Sequence, residues 1–319
     1  MASNCLITGV AGFVGSTLAE HLLAEGQTVT GVDCFTDYYP RTTKEANLTN
    51  LVGAERFTFL DQDLLLADCS QLIDGVDYVF HLAGQPGVRK SWGDNFGAYV
   101  EANILVTKRL LEAAVEAKPR RFVYASSSSI YGNAPELPTT EATLPWPVSP
   151  YGVTKLAAEH LCGLYAENLG VPTISLRFFT VYGPRQRPDM AFNKFIRAIL
   201  AGDEILLNGD GEQTRDFTYV ADIVRATVAA AFASEGIPAG SVYNLGGGVR
   251  TTVNHVIEIL GAILDTQPRV RQVEPQRGDA RHTYADCSAA AIDLGYAPAW
   301  TLEQGLREEA LWLLKELDS

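Results

Sequence analysis

The stretch Thr8-Gly9-Val10-Ala11-Gly12-Phe13-Val14-Gly15-Ser16 lies between a short apolar run at residues 5–9 and a helix-period run at residues 16–24. Its three glycines form G-x-x-G-x-x-G, one residue longer than the G-x-G-x-x-G dinucleotide fingerprint. The physical demands are shared: a turn with free dihedrals, close backbone approach to a pyrophosphate at a helix N-terminus, and tight helix-on-strand contact. Gly9, Gly12, Phe13 and Val14 are therefore candidate dinucleotide contacts. Asp33 closes the next apolar run, where an acid bonds the adenosine ribose hydroxyls. That choice carries a sign. A 2'-phosphate ~4 Å from the carboxylate is repelled by roughly 4 kcal/mol at an effective dielectric of ~20, so NAD is favoured over NADP on the order of a thousandfold.

Outward from this turn, short apolar runs alternate with longer helical patterns. Strands are expected at residues 5–9, 28–33, 56–61, 76–82, 121–126 and 173–179, and helices at 16–24 and 100–117, stopped by Gly26 and Pro119. This is the trace of a parallel sheet with crossover helices. Asp63 and Leu64 follow the third strand, Leu82-Ala83-Gly84 the fourth, and Phe178 ends the sixth, all at the carboxyl edge where a dinucleotide lies. His81 reads as a packed strand histidine, not a catalyst. Beyond residue 179 the pattern loosens, with helices at 191–200, 221–233, 253–264 and 302–317 and a strand at 242–245 expected to rejoin the sheet. The expected fold class is α/β: a Rossmann-like doubly wound parallel sheet with a smaller mixed α/β substrate-binding subdomain. Residues 1–178 form the dinucleotide-binding part and 179–319 mainly the substrate-binding part, with about 215–247 returning to the first.

Composition narrows the partners. The 319 residues are 47% hydrophobic and 20% charged, which suits a globular chain. A net charge of -13 and a pI near 4.8 speak against nucleic acid and anionic membrane surfaces, so any anionic ligand must be met by local arginines. The five cysteines are scattered and lack ligand spacing, so neither a metal nor a disulfide framework is indicated, and a reducing, cytoplasmic setting is expected. The apolar start lacks a basic leader and is broken by glycines, and no later run reaches the ~18 apolar residues that a membrane span needs.

Chemistry enters with Tyr151 and Lys155, four apart at the start of a helix and so on one face. An ammonium held near a phenol favours the phenolate, and the pair is expected to lower the Tyr151 pKa toward working pH, making a base for a sugar hydroxyl. A serine run, Ser126 to Ser129, lies upstream. It reads either as a capped strand-end loop or as a set of hydroxyl donors.

Taken together, Gly9, Gly12, Gly15, Asp33, Asp63, Leu82-Ala83-Gly84, the serine run and the Tyr151/Lys155 pair resemble the extended short-chain dehydrogenase/reductase family over nearly the full length. Within it, PGVRKSW at 86–92, FFTVYGPRQRPDM at 178–190, GDGEQTRDFTY at 209–219 and the run Asp37-Tyr38-Tyr39 are most like UDP-glucuronate 4-epimerases. The resemblance implies that Ser127 bonds the hydroxyl being oxidised, Tyr151 takes the proton from O4, and Lys155 holds the tyrosine and the nicotinamide ribose. It implies a homodimer through helices 100–117 and 151–169. It also implies a UDP-sugar substrate touching Gly87, Arg89, Phe192, Asn193, Gln213 near the ribose, and Arg215 at the diphosphate. Gln276 stands where an arginine is usual, which leaves the last phosphate contact open between Arg277 and Arg281.

Sister enzymes that eliminate water or decarboxylate place carboxyl residues just after the catalytic hydroxyl, whereas this chain has Ser128 and Ser129. Hydrogen bonds from Ser128, Ser129, Thr180 and Arg187 would instead hold a substrate carboxylate as an anion and slow its loss as CO2. The expected reaction is NAD-dependent C4 epimerisation of UDP-glucuronate. UDP-glucose epimerisation, decarboxylation and a catalytically silent NAD-binding regulator are the alternatives.

Overall fold

The computed structural model describes residues 2–234 and 236–318. The strands are β1 (Asn4–Thr8), β2 (Thr28–Asp33), β3 (Phe57–Asp61), β4 (Tyr78–His81), β5 (Arg121–Ser127), β6 (Thr173–Phe178), β7 (Val181–Tyr182), β8 (Glu204–Asn208), β9 (Thr214–Asp216), β10 (Thr218–Tyr219), β11 (Ser241–Leu245), β12 (Arg250–Thr252) and β13 (Arg269–Val273). Seven of them form one sheet in the order β11-β6-β5-β4-β1-β2-β3, every pair parallel. The order reverses between β1 and β4, so the carboxyl ends of these strands open a crevice there. Strands β4 and β5 are buried throughout, as parallel strands covered on both faces should be.

The helices are α1 (Phe13–Ala24), α2 (Arg41–Leu48), α3 (Cys69–Ile73), α4 (Phe96–Tyr99), α5 (Val106–Ala117), α6 (Pro150–Leu169), α7 (Ala191–Ala201), α8 (Val220–Phe232), α9 (Val253–Ile263), α10 (Ser288–Leu294) and α11 (Leu302–Asp318). One apolar cluster joins α1 and α8 to one face of the sheet and continues into α7, α9 and α11; a second packs α3, α5 and α6 on the other face. None of these helices is long and apolar enough to cross a membrane.

Two elements differ from the sequence pattern. The expected helix at 100–117 begins as a widened π-helical turn, Val100–Leu105, before α5. There Asn103 is turned inward, its amide bonding both the N–H and C=O of Gln85 (2.7 and 3.1 Å) and the Thr154 hydroxyl (2.9 Å). The loose second half contains the small pairs β7/β10, β9/β12 and β8/β13, of two to five residues each, too short to show a period.

Candidate active site

The glycine turn is built as its spacing demands. Gly9 has φ of +74°, and a Cβ there would lie 2.8 Å from the Ala83 nitrogen; at Gly15 it would lie 2.2 Å from the Gly9 carbonyl oxygen, so α1 seats directly on β1. Gly12 caps α1 without any side-chain acceptor, which leaves the first N–H groups of the helix pointing outward for an anion. Asp33 is pinned by the Ala11 and Phe35 N–H groups (3.1 and 2.9 Å), one on each carboxylate oxygen. Asp63 caps the turn after β3 through Leu65 N–H (2.9 Å), and Leu64 is buried behind it.

Where β4 ends, His81 bonds Thr8 (2.8 Å) and Thr107 (2.9 Å), and Thr107 gives its own proton to the Asn103 carbonyl (2.6 Å). This leaves Nε2–H as the donor and Nδ1 as the acceptor. Burial, with the nearby Lys155 charge, lowers the His81 pKa to about 3, so the ring stays neutral and structural. Thr8 also takes the Ala83 N–H (3.1 Å), fixing the Leu82-Ala83-Gly84 corner against the glycine turn.

From this corner a 990 Å³ cleft runs toward the second half of the chain. Phe13, Val14, Leu82, Gly84 and Phe178 line its nucleotide end; Ser127, Ser128, Ser129, Tyr151, Lys155, Thr180 and Arg187 line its middle; Gly87, Arg89 and Arg215 line its far end. Tyr151 and Lys155 stand in the first turns of α6, whose start is fixed by Ser149, whose hydroxyl accepts from Gly152 N–H (3.1 Å), and by Pro150 at the first turn. Ser127 accepts the Ser129 N–H (3.1 Å), so it both caps a turn and faces the cleft.

The pKa pattern corrects one expectation. Burial raises the Tyr151 phenol above its ordinary value, and the opposing pulls come from a hydrogen bond with Ser127 and from the Arg187 charge, not from Lys155. The Lys155 ammonium lies 4.4 Å over the Tyr124 ring, and burial lowers its pKa to about 8. One helical turn of separation placed the two side chains on one face, but desolvation outweighs any help between them.

At the far end, Arg89 pairs with Asp279 (3.0 Å), and Arg281 pairs with Asp210 (2.7 Å). Burial lowers the Arg215 pKa, Asp279 opposes that, and the Arg89 and Arg281 charges add to it. A half-buried cation made uncomfortable by two other cations is a place for an anion. Some expected contacts lie elsewhere. Phe192 packs against Phe217 (4.7 Å between ring centroids), and buried Asn193 bonds Gln186 and Arg197. Gln213 donates to the Asn208 carbonyl, and Arg277 is exposed; neither side chain lines the cleft. Other cleft residues were not singled out by sequence reasoning: Asp189 holds Arg187 in two bonds, and Phe195, Ile205 and Leu206 form an apolar wall. The signal of the three apolar residues is ordinary amphipathic patterning, which does not separate wall from core, and Asp189 lies in a loop, where no period marks it.

Residues 5–246 match the family model described as "NAD dependent epimerase/dehydratase family". The chain belongs to that family. Among members of this epimerase/dehydratase family, it is 44% identical over 309 residues, 97% of each chain, to the uncharacterized UDP-glucose epimerase YtcB of Bacillus subtilis (strain 168). It is 37% identical to the UDP-glucuronate 4-epimerase of Thermodesulfobacterium geofontis (strain OPF15), over 98% of this chain and 97% of that one. The crystal structure of UDP-glucuronic acid 4-epimerase from Bacillus cereus, in complex with UDP-glucuronic acid and NAD, superposes with a TM-score of 0.95 at 42% identity, covering 98% of this chain and 99% of that chain.

Proposed function

We propose that this protein is an NAD-dependent nucleotide-sugar 4-epimerase that interconverts UDP-glucuronate and UDP-galacturonate. The observation that carries the reading is the meeting of Tyr151, Ser127 and Arg187 in one cleft, with hydroxyls at 128 and 129 where water-eliminating and decarboxylating sister enzymes need carboxyl groups. Residues 1–178 hold the dinucleotide, and residues 179–319 mainly hold the UDP-sugar, with about 215–247 reaching back to the first part.

The glycine turn, the open N-terminus of α1 and the pinned Asp33 carboxylate fit a dinucleotide with free ribose hydroxyls. A bound NAD would supply the hydride acceptor for oxidation at C4 and, once reduced, the hydride donor for the reverse. Gly9, Gly12, Phe13, Val14, Asp33, Asp63, Leu64, Leu82, Ala83, Gly84 and Phe178 surround it, and Lys155 holds its ribose. Tyr151 takes the proton of the C4 hydroxyl and gives it back, with Ser127 bonding the same oxygen and favouring the phenolate. Arg215 and Arg89 hold the diphosphate, and Gly87 borders the sugar. Ser128, Ser129, Thr180 and Arg187 face the C6 carboxylate. Phe192, Asn193, Gln213 and Arg277 complete the substrate-binding set read from the sequence, although their side chains do not line the cleft.

The retained Tyr151 and Lys155 weigh against a silent NAD-binding regulator. Half-exposed Leu105, Val153 and Leu164, on the turn before α5 and on α6, support a homodimer through this helical face, and the scattered free cysteines support a cytoplasmic setting. UDP-glucose epimerisation stays in view because Asp189 partly neutralises Arg187 and because the Bacillus subtilis relative carries that name. Comparing kcat/KM for the two sugars decides. The uronate should be preferred at least ~10-fold, about 1.4 kcal/mol of discrimination, and an equal preference for UDP-glucose would overturn the substrate assignment.

A further inference from the structure

Arg187 is gripped side-on: its Nε donates to one Asp189 oxygen (2.9 Å) and its Nη2 to the other (3.0 Å). Among the described residues no partner lies on Nη1. The planar fork is thereby oriented, with its end-on edge left for a second planar acceptor. Asp189 in turn is held from across the cleft by the Tyr38 hydroxyl, which donates to Oδ2 (3.4 Å). Tyr38 comes from the loop after Asp33, and its seat is built for it. Gly87, with φ of +98°, would place a Cβ 2.0 Å from the Tyr38 hydroxyl oxygen; the Lys90 ammonium lies 4.4 Å and the Arg187 guanidinium 5.6 Å from the centroid of the Tyr38 ring.

We infer that Asp189, steadied by Tyr38, is a specificity-determining positioning residue that aims the free edge of Arg187 at the C6 substituent and so sets the preference for a uronate over a neutral hexose. The inference rests on the proposed uronate 4-epimerase reading and adds to it the residue that makes Arg187 selective. Two effects of Asp189 oppose each other. Its charge offsets that of Arg187 and weakens attraction for a carboxylate, while its two bonds fix the guanidinium plane. Orientation wins here, because a fork that rotates freely on a four-torsion side chain gives up bidentate geometry, and each charge-assisted bond of such a pair is about twice as strong as a neutral hydrogen bond.

The test uses the full-length holoenzyme with UDP-glucuronate and UDP-glucose as probes. Asp189→Asn keeps the shape but presents an amide to a donor, and should lower the uronate-to-hexose ratio of kcat/KM about tenfold, mainly through KM for the uronate. Tyr38→Phe, which removes only the steadying hydroxyl, should lower the same ratio about threefold and serves if the first variant fails to fold. A purely structural role would lower both sugars equally and leave the ratio fixed, and that result overturns the inference while the wild-type uronate preference still stands. A ratio that rises in Asp189→Asn also overturns it, by showing that charge compensation is the dominant effect. A wild-type enzyme without uronate preference removes the proposed substrate assignment itself.

Discussion

Glu159→Gln tests what holds the catalytic residues in register. Glu159 stands one turn beyond Lys155 and two beyond Tyr151 on α6, and it is buried together with Arg177 of β6. Its carboxylate takes Arg177 Nη2 (2.6 Å) and Nε (3.0 Å), and the Ser126 hydroxyl (2.6 Å), whose neighbour on β5 is Ser127. One carboxylate thus ties the helix bearing Tyr151 to β6 through the ion pair and to β5, the strand bearing Ser127, through the Ser126 hydroxyl. The amide leaves a buried guanidinium without its counter-charge and turns an N–H₂ toward donors, a loss of about 3–5 kcal/mol. With ~2.1 cal/mol/K of unfolding entropy per residue, a chain of 319 residues converts that into a drop of about 4–8 °C in Tm. Calorimetry on the variant reads it directly. The double variant Glu159→Leu with Arg177→Met, which removes both charges, should regain most of the loss. A single variant within about 1 °C of wild type, or a double variant no better than the single, would refute the reasoning.

Tyr151→Phe should retain bound NAD, read by absorbance after denaturation, while turnover falls by about 10² to 10⁴, and an active variant would place the base elsewhere. Ser127→Ala removes a hydrogen bond that favours the Tyr151 phenolate, so the ascending limb of kcat/KM against pH should move to higher pH; an unmoved limb would mean that another group titrates. Asp33→Ser should relax the rejection of NADP, by up to the order of a thousandfold expected from like-charge repulsion, as measured by NADP and NAD binding, and unchanged rejection would assign it to another group.

The centre of the sheet was legible because β1, β4, β5 and β6 are short runs dominated by buried residues, and burial on both faces leaves little freedom of assignment. The glycine turn and Asp33 were legible for a similar reason: close backbone approach and a ribose acid each demand one residue type at one spacing. The sequence also placed Ser127, Tyr151, Thr180, Arg187, Arg89 and Arg215 as candidates that the fold brings to one cleft. What it missed depends on contacts far apart in the chain. Tyr38 and Asp189 are 151 residues apart and meet across the cleft. Asn103 turns inward only because the helix widens beneath it. The electrostatic reading of Tyr151 failed for the same reason: spacing gives proximity, whereas burial, which sets the sign here, belongs to the whole fold.

A proton taken and returned by Tyr151 should accompany inversion at C4 with no net oxidation. UDP-glucuronate carrying deuterium at C4, incubated with the purified holoenzyme in ordinary water and analysed by NMR and mass spectrometry, tests it most directly. The expected product is UDP-galacturonate with the deuterium kept at C4 and no UDP-pentose; loss of the label to solvent, release of CO2 or unchanged substrate would rule the proposed reaction out.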